Sequence, residues 1–357
     1  LAAGVLAALT AFSFAELSAR IPRSAGEAAY VRAGFGSEHL ALLVGLSVIA
    51  TGVISAAAIT VGASGYIHAF IALPGWVLIT LSVLLLAAIA SWGIGESVRI
   101  AALFTVLEMG GLCLVIWAGS QTITPASISF EGLGELGEAA AWGGIWSGTI
   151  LAFYAFIGFE DMVNVAEEVK DVERTLPRAI MLTLVVTTIL YFGVAVVAVL
   201  ALPAAELAAS DVPLALIFEV GSGQSPMIII AIGIVATLNG ALIQVIMASR
   251  VIYGLSKQGQ LPVWFGVVNA RTGTPLAATG LVALIVAILA YGFPIEALAQ
   301  VTSMLVLMIF AVVNLALWRL KGQRDVPVAA FSLPRWLPLV GCVISAFFAG
   351  VEVLRLF

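Results

Sequence analysis

Charge is what this sequence has least of. Only 10% of its 357 residues are Asp, Glu, Lys or Arg, against 62% apolar. No charged residue stands between Glu38 and Glu96, and none between Glu219 and Arg250. With a mean hydropathy of +1.17, a soluble domain of this size is excluded and a polytopic helical membrane protein is predicted. The charge-free runs are too long for the alternating strands of a membrane barrel. Cysteine is scarce too: Cys113 and Cys342 both sit in apolar stretches, which excludes a disulfide framework and a zinc site. There is no HExxH and no P-loop, so neither metalloprotease chemistry nor ATP-driven transport is supported. Nothing implies a cofactor or a nucleic acid partner. A basic n-region is also lacking: the chain opens at Leu1 inside an apolar helix, so no signal peptide is read and an N-terminal truncation is expected.

What is there is a series of long apolar runs. Hydropathy gives ten spans, roughly 1–19, 38–65, 75–94, 97–119, 144–169, 178–202, 226–256, 276–293, 295–318 and 336–357. Proline and glycine punctuate their ends, at Pro22, Leu73-Pro74-Gly75, Gly93, Gly95, Pro177, Pro203, Pro226, Pro275, Pro294 and Pro334. The spans at 38–65 and 226–256 exceed the bilayer's need and are expected to tilt or project from it. Alternate loops hold all of the 15 Lys and Arg residues except Arg355: Arg20, Arg23 and Arg32, then Arg99, then Lys170, Arg174 and Arg178, then Arg250, Lys257 and Arg271, then Arg319, Lys321, Arg324 and Arg335. The intervening loops carry Glu131, Glu135 and Glu138, then Glu206, Asp211 and Glu219, then Glu296. By the positive-inside rule the basic loops are cytoplasmic. The first residue then lies outside, and one missing helix is the simplest expectation.

The span at 144–169 differs from the rest. Gly158 interrupts it, and Glu160 and Asp161 follow at membrane depth. A carboxylate at a helix centre costs about 2.5–3.5 kcal/mol on insertion scales, so two adjacent ones line a cavity, pair, or stay protonated. A glycine-broken, acid-bearing span near the midplane is the usual pointer to a transporter's substrate site. A faint echo, Val48-Ile49-Ala50-Thr51-Gly52 with Ala63-Ser64 against Ile234-Val235-Ala236-Thr237 with Ala248-Ser249, is compatible with an inverted repeat.

Three segments resemble signature regions of the amino acid–polyamine–organocation transporters. They are Phe14-Ala15-Glu16-Leu17-Ser18-Ala19-Arg20-Ile21-Pro22 with Gly26 and Tyr30; Phe153-Tyr154-Ala155-Phe156-Ile157-Gly158-Phe159-Glu160 with Ala166–Lys170 and Leu176–Ile180; and Ser249–Gly254 with Gly259–Pro262 and Thr274-Pro275. The resemblance runs from the family's second helix to its eleventh. It implies an all-α, broken-helix, five-plus-five inverted-repeat fold in one transmembrane domain: 1–119 the remainder of the first repeat, 144–319 the second, 336–357 an additional C-terminal helix. It implies secondary transport of an amino acid or related amine across the cell membrane, driven by protons or by exchange with a counter-substrate, with sodium coupling on the same fold as the alternative. Half of the main-chain site would belong to the absent first helix, so this chain alone is expected not to transport.

The resemblance also assigns roles. The carbonyls of Tyr154, Ala155 and Ile157 would bind the substrate's amino group, with Gly158 permitting the break. Tyr154 and Phe156 match the aromatic gate. Glu160 matches a position implicated in proton sensing, although a carboxylate there could equally cap the second half-helix. Glu108 stands where proton-coupled relatives carrying cationic amino acids often have lysine, so it either carries the proton itself or bonds a neighbouring helix. Glu167 and Glu168 at the cytoplasmic edge form solvated helix-end pairs or a gate to Arg20 or Arg250, and Glu16–Arg20 is an i,i+4 pair. Asn239, Gln244, Thr51, Ser55 and Ser303 either line the pathway or bond between helices. A rival comes from another class: Gly62-Ala63-Ser64-Gly65 matches the nucleophile motif of intramembrane serine proteases. That chemistry needs a facing histidine. His68 follows Ser64 on the same helix, and His39 is about 38 Å away at about 1.5 Å per residue.

Overall fold

The structure, a computed structural model, describes residues 2–23, 25–92, 94–123, 139–210, 212–323 and 331–355, with the side chains of 94–101, 139–141, Val165, Glu167, Glu168 and Arg355 excepted. The loop acids Glu131, Glu135, Glu138 and Asp211, together with Arg324 and the side chains of Arg99, Glu167 and Glu168, therefore lie outside the described residues. The described elements are all helices, joined by turns and loops and without a strand: α1 (Ala2–Arg20), α2 (Gly26–Phe35), α3 (Glu38–His68), α4 (Gly75–Trp92), α5 (Ile94–Ser120), α6 (Ala139–Tyr154), a 3₁₀ helix at Glu160–Glu168, α7 (Val172–Ala201), α8 (Ala204–Ala208), α9 (Pro213–Ser222), α10 (Met227–Lys257), a short 3₁₀ helix at Val263–Gly266, α11 (Leu276–Gly292), α12 (Ile295–Leu320) and α13 (Trp336–Arg355).

Eight of these are long and apolar enough to cross a membrane. The 17 residues of α11 fall one short of that length, and α6 continues through a break into the 3₁₀ helix. Each of the ten expected spans coincides with a helix, and eight of those helices reach the length and hydropathy of a membrane span. Two expectations need correction. Pro177 does not open a span; it lies inside α7, which starts at Val172. As the sixth residue of α7, the ring removes the i→i−4 donor for the Glu173 carbonyl, one turn from the start of the helix. The loop at 20–37 also holds a helix, α2, closed by Gly36 in the left-handed region (φ 67°) with its N–H on the Arg32 carbonyl.

Association in lipid cannot draw on the hydrophobic effect and depends on close packing of small residues. The pairing of α3 with α10 shows this. A Cβ built on Gly45 would meet Leu255, one on Gly52 would meet Met247 and Ala248, one on Gly240 would meet Ile59, and one on Gly233 would meet Tyr66. As numbers rise along α3 they fall along α10, so the two helices are antiparallel and nearly in contact. Ala56, Ala57 and Ala58 are fully buried beside them. Away from this contact the surface is apolar, with Leu84, Leu103 and Val199 each more than 60% exposed, as lipid-facing residues should be.

One end of the bundle collects the basic loops. The fully buried Glu16 of α1 accepts from Arg20 Nη2 at 2.6 Å, from Lys321 Nζ beyond α12, and from the Leu333 main-chain N–H at 2.7 Å. Arg32 bonds Gln258 at 3.0 Å and Glu38 at 2.6 Å, and Arg319 lies over the Phe35 ring at 4.6 Å. The Glu16–Arg20 pair expected from spacing is thus the centre of a larger clamp joining α1, α12 and the segment before α13.

Candidate substrate and coupling site at the broken helix

The break is built from its neighbours inward. Helix α6 ends at Tyr154, and the chain turns through 155–159 before the 3₁₀ helix begins at Glu160. Gly158 has φ +127°, a region that side chains rarely adopt. Phe153 before the break and Phe159 after it both touch Phe310 of α12, at 5.9 and 5.5 Å between ring centroids. Phe14 of α1 completes the cluster, 5.9 Å from Phe159 and 5.6 Å from Phe310. The aromatic cluster clamps both ends of the interruption, so the turn between them keeps its shape.

Within the turn, the Tyr154 carbonyl accepts from Ile157 N–H at 3.2 Å. Among the described residues, no main-chain N–H is donated with good geometry to the carbonyls of Ala155 and Ile157. The Gly158 N–H turns the other way and donates to Glu160 Oε2 at 2.9 Å. Glu160 thus bonds back to the turn ahead of its own helix, and the N-cap position of that helix, Phe159, carries no side-chain cap. The two candidate gate aromatics point in different directions. Tyr154 Oη is 3.2 Å from Ser55 Oγ of α3, whereas Phe156 packs on Tyr191 of α7, 5.3 Å between centroids.

Beneath the turn lies an enclosed cavity of about 10 Å³, room for about one water. Glu27, Glu160 and Asp161 line it, with Thr51, Gln244 and the apolar Val48, Ile157, Val306, Ile309 and Phe310. No Lys or Arg is in that lining. Asp161 Oδ2 accepts from Gln244 Nε2 of α10 at 2.6 Å. Glu27, 1% exposed, accepts from Asn164 Nδ2 of the 3₁₀ helix at 3.4 Å. Three ionised carboxylates around one small cavity would repel strongly in a medium this dry, and each proton or cation held among them lowers that repulsion.

Glu27 is the member that sequence reasoning missed, because it reads as a loop acid near the cytoplasmic edge. The available signal was helical periodicity: Glu27, Tyr30, Val31 and Gly34 are all buried, at i, i+3, i+4 and i+7, ahead of the Gly36 cap. Glu108 lies apart from the cavity. Its Oε1 accepts from Asn239 Nδ2 of α10 at 2.9 Å, and it faces a groove between α5 and α7 lined also by Tyr191. Of the five polar candidates, Asn239 and Gln244 bond between helices, Ser55 meets Tyr154, Thr51 bonds its own helix at the Val48 carbonyl, and Ser303 Oγ is buried without a partner among the described residues. Ser64 donates to the Val61 carbonyl of its own helix, and His68 Nδ1 faces the Leu73 carbonyl, so no serine–histidine pair forms.

The chain matches the amino acid permease family over residues 1–355. It is similar to the branched-chain amino acid permease BcaP of Lactococcus lactis subsp. cremoris (strain MG1363), 27% identical over 99% of this chain and 81% of that protein. It is 28% identical to the methylthioribose transporter of Bacillus subtilis (strain 168), over 96% of this chain and 77% of the other. It is 30% identical to the vacuolar cationic amino acid transporter 2 of Arabidopsis thaliana, over 90% of this chain and 53% of that one. An all-helical bundle of membrane spans, a helix broken at Gly158 and a family match from end to end agree: the chain belongs to the amino acid permease family and is a multi-pass cell-membrane transporter of amino acids, not an enzyme.

Proposed function

We propose that the protein carries its amino acid by alternating access, that the carbonyls of Ala155 and Ile157 hold the substrate's amino group, and that a proton exchanged at Glu160 drives the cycle. The observation that carries the coupling is the cavity under the break, with three carboxylates and no cation in its lining. Ionised Glu160 grips the Gly158 N–H in a charge-assisted bond, and such bonds are roughly twice as strong as neutral ones. Taking up a proton weakens that grip at the one residue on which the turn depends. Proton occupancy and the shape of the substrate site are thereby linked. Glu108 is assigned a structural role, because its hydrogen bond joins α5 to α10. The antiparallel fit of α3 on α10 supports reading the chain as two inverted repeats.

For the substrate, an aliphatic side chain is favoured by the apolar residues beside the break, Val48, Ile157, Val306, Ile309 and Phe310, and by the branched-chain permease among the relatives. A cationic side chain is the second reading, supported by the same cavity's carboxylates and by the cationic transporter. A thermal-shift screen of the protein, expressed from its complete reading frame, separates them. Leucine, isoleucine and valine are expected to raise Tm more than lysine and arginine. The reverse order would reassign the substrate, and no shift with any amino acid would sink the assignment of the carbonyls. Replacing sodium by choline is expected to leave the shifts unchanged.

A further inference from the structure

A second site is formed at the basic end of α7. Arg174, Pro177, Arg178 and Met181 fall at i, i+3, i+4 and i+7, one face of the helix. With Glu173 and Phe331, from the segment leading into α13, they line a groove of about 560 Å³, the size of a small-molecule pocket (roughly 300–1,000 Å³). Most cations at this end of the bundle are engaged. Arg20, Arg32 and Lys321 pair with carboxylates, and Lys257, Arg319 and Arg335 lie over aromatic rings. Arg174 and Arg178 are exposed, and among the described residues neither has an ion-pair or ring partner.

Further along the same helix the surface turns apolar. Met181 is half-buried, and Leu182, Val185 and Ile189 are 65, 51 and 65% exposed. The groove thus runs from a pair of guanidinium groups to a lipid-facing strip. It does so at the cytoplasmic edge, where the leaflet is anionic and basic pockets between helices bind lipid headgroups. Two guanidinium groups on one face match the oxygens of a phosphate. We propose that this groove binds an anionic phospholipid, with Arg174 and Arg178 on its phosphate and an acyl chain along Met181 and Val185. Glu173, on the groove wall, opposes that charge and moderates the affinity.

The test is lipid titration of the purified protein by native mass spectrometry, comparing phosphatidylglycerol with phosphatidylcholine. Wild type is expected to prefer phosphatidylglycerol. Neutralising Arg174 or Arg178 to Gln should weaken that binding about fivefold each, from about one kcal/mol per surface cation. Glu173→Gln should tighten it, an arm that does not depend on the arginine variants folding. Soluble glycerol 3-phosphate should not displace the lipid. Equal retention of both lipids by wild type, a preference surviving in Arg174→Gln/Arg178→Gln, or displacement by glycerol 3-phosphate or inorganic phosphate would each overturn the proposal.

Discussion

Gly158 and Glu16 are the residues on which most depends. A Cβ at Gly158 would meet nothing within 4 Å, so its constraint is the backbone alone. At φ +127° any side chain is strained, by about 1–3 kcal/mol. Gly158→Ala is therefore expected to lose amino acid binding by thermal shift while the purified protein stays monodisperse; unchanged binding would mean the turn tolerates another geometry. Glu16 is the opposite case, a contact constraint. Its carboxylate is fully buried between Arg20 and Lys321, whose side chains are only 9 and 8% exposed. Glu16→Gln removes the counter-ion of two buried cations, at a cost of about 3–5 kcal/mol. A large fall in Tm is expected, and a fall within a degree or two would show that solvent already screens the clamp. Spacing alone revealed the Glu16–Arg20 half of this network. Lys321 and Leu333 lie more than 300 positions away, where no local pattern could connect them.

Among the elements, the long apolar helices were readable because each hydropathic run exceeds what a soluble helix would carry. The break was readable because Gly158 and two acids interrupt such a run. Three helices were not. The ten residues of α2 mix polar and apolar types between two glycines, and α8 and α9 are short pieces of the connection between α7 and α10. Helices this short are marginal alone and form because the bundle supplies their packing. Gly34 of α2 shows this, since a Cβ there would lie 2.7 Å from the Ala316 carbonyl of α12. The α3–α10 seam yields a prediction of the same kind. A Cβ at Gly52 would sit 2.7 Å from Met247 Cε and 3.1 Å from Ala248 Cβ. Gly52→Val overfills the seam and is expected to cost about 1–3 kcal/mol, read as a lowered Tm. Gly65→Ala on the same helix, where a Cβ meets nothing within 4 Å, is the control expected to be neutral.

For the molecule as a whole, the sequence located one wall of the site and the fold supplied the others. Glu160 and Asp161 announce themselves inside an apolar span. Glu27 does not, because only the tuck of α2 against the 3₁₀ helix brings it under the break. The aromatic clamp was equally hidden, since Phe14, Phe153, Phe159 and Phe310 come from three distant stretches of an apolar sequence. Together they describe a transporter whose proposed substrate turn and acid cavity share one hydrogen bond, from Gly158 to Glu160. The most direct test is amino acid uptake by proteoliposomes holding the protein expressed from its complete reading frame, with an imposed proton gradient and no sodium. Wild type is expected to accumulate substrate above equilibrium, while Glu160→Gln still exchanges substrate across the membrane but no longer accumulates it. Proton-driven accumulation that survives intact in Glu160→Gln would contradict the account.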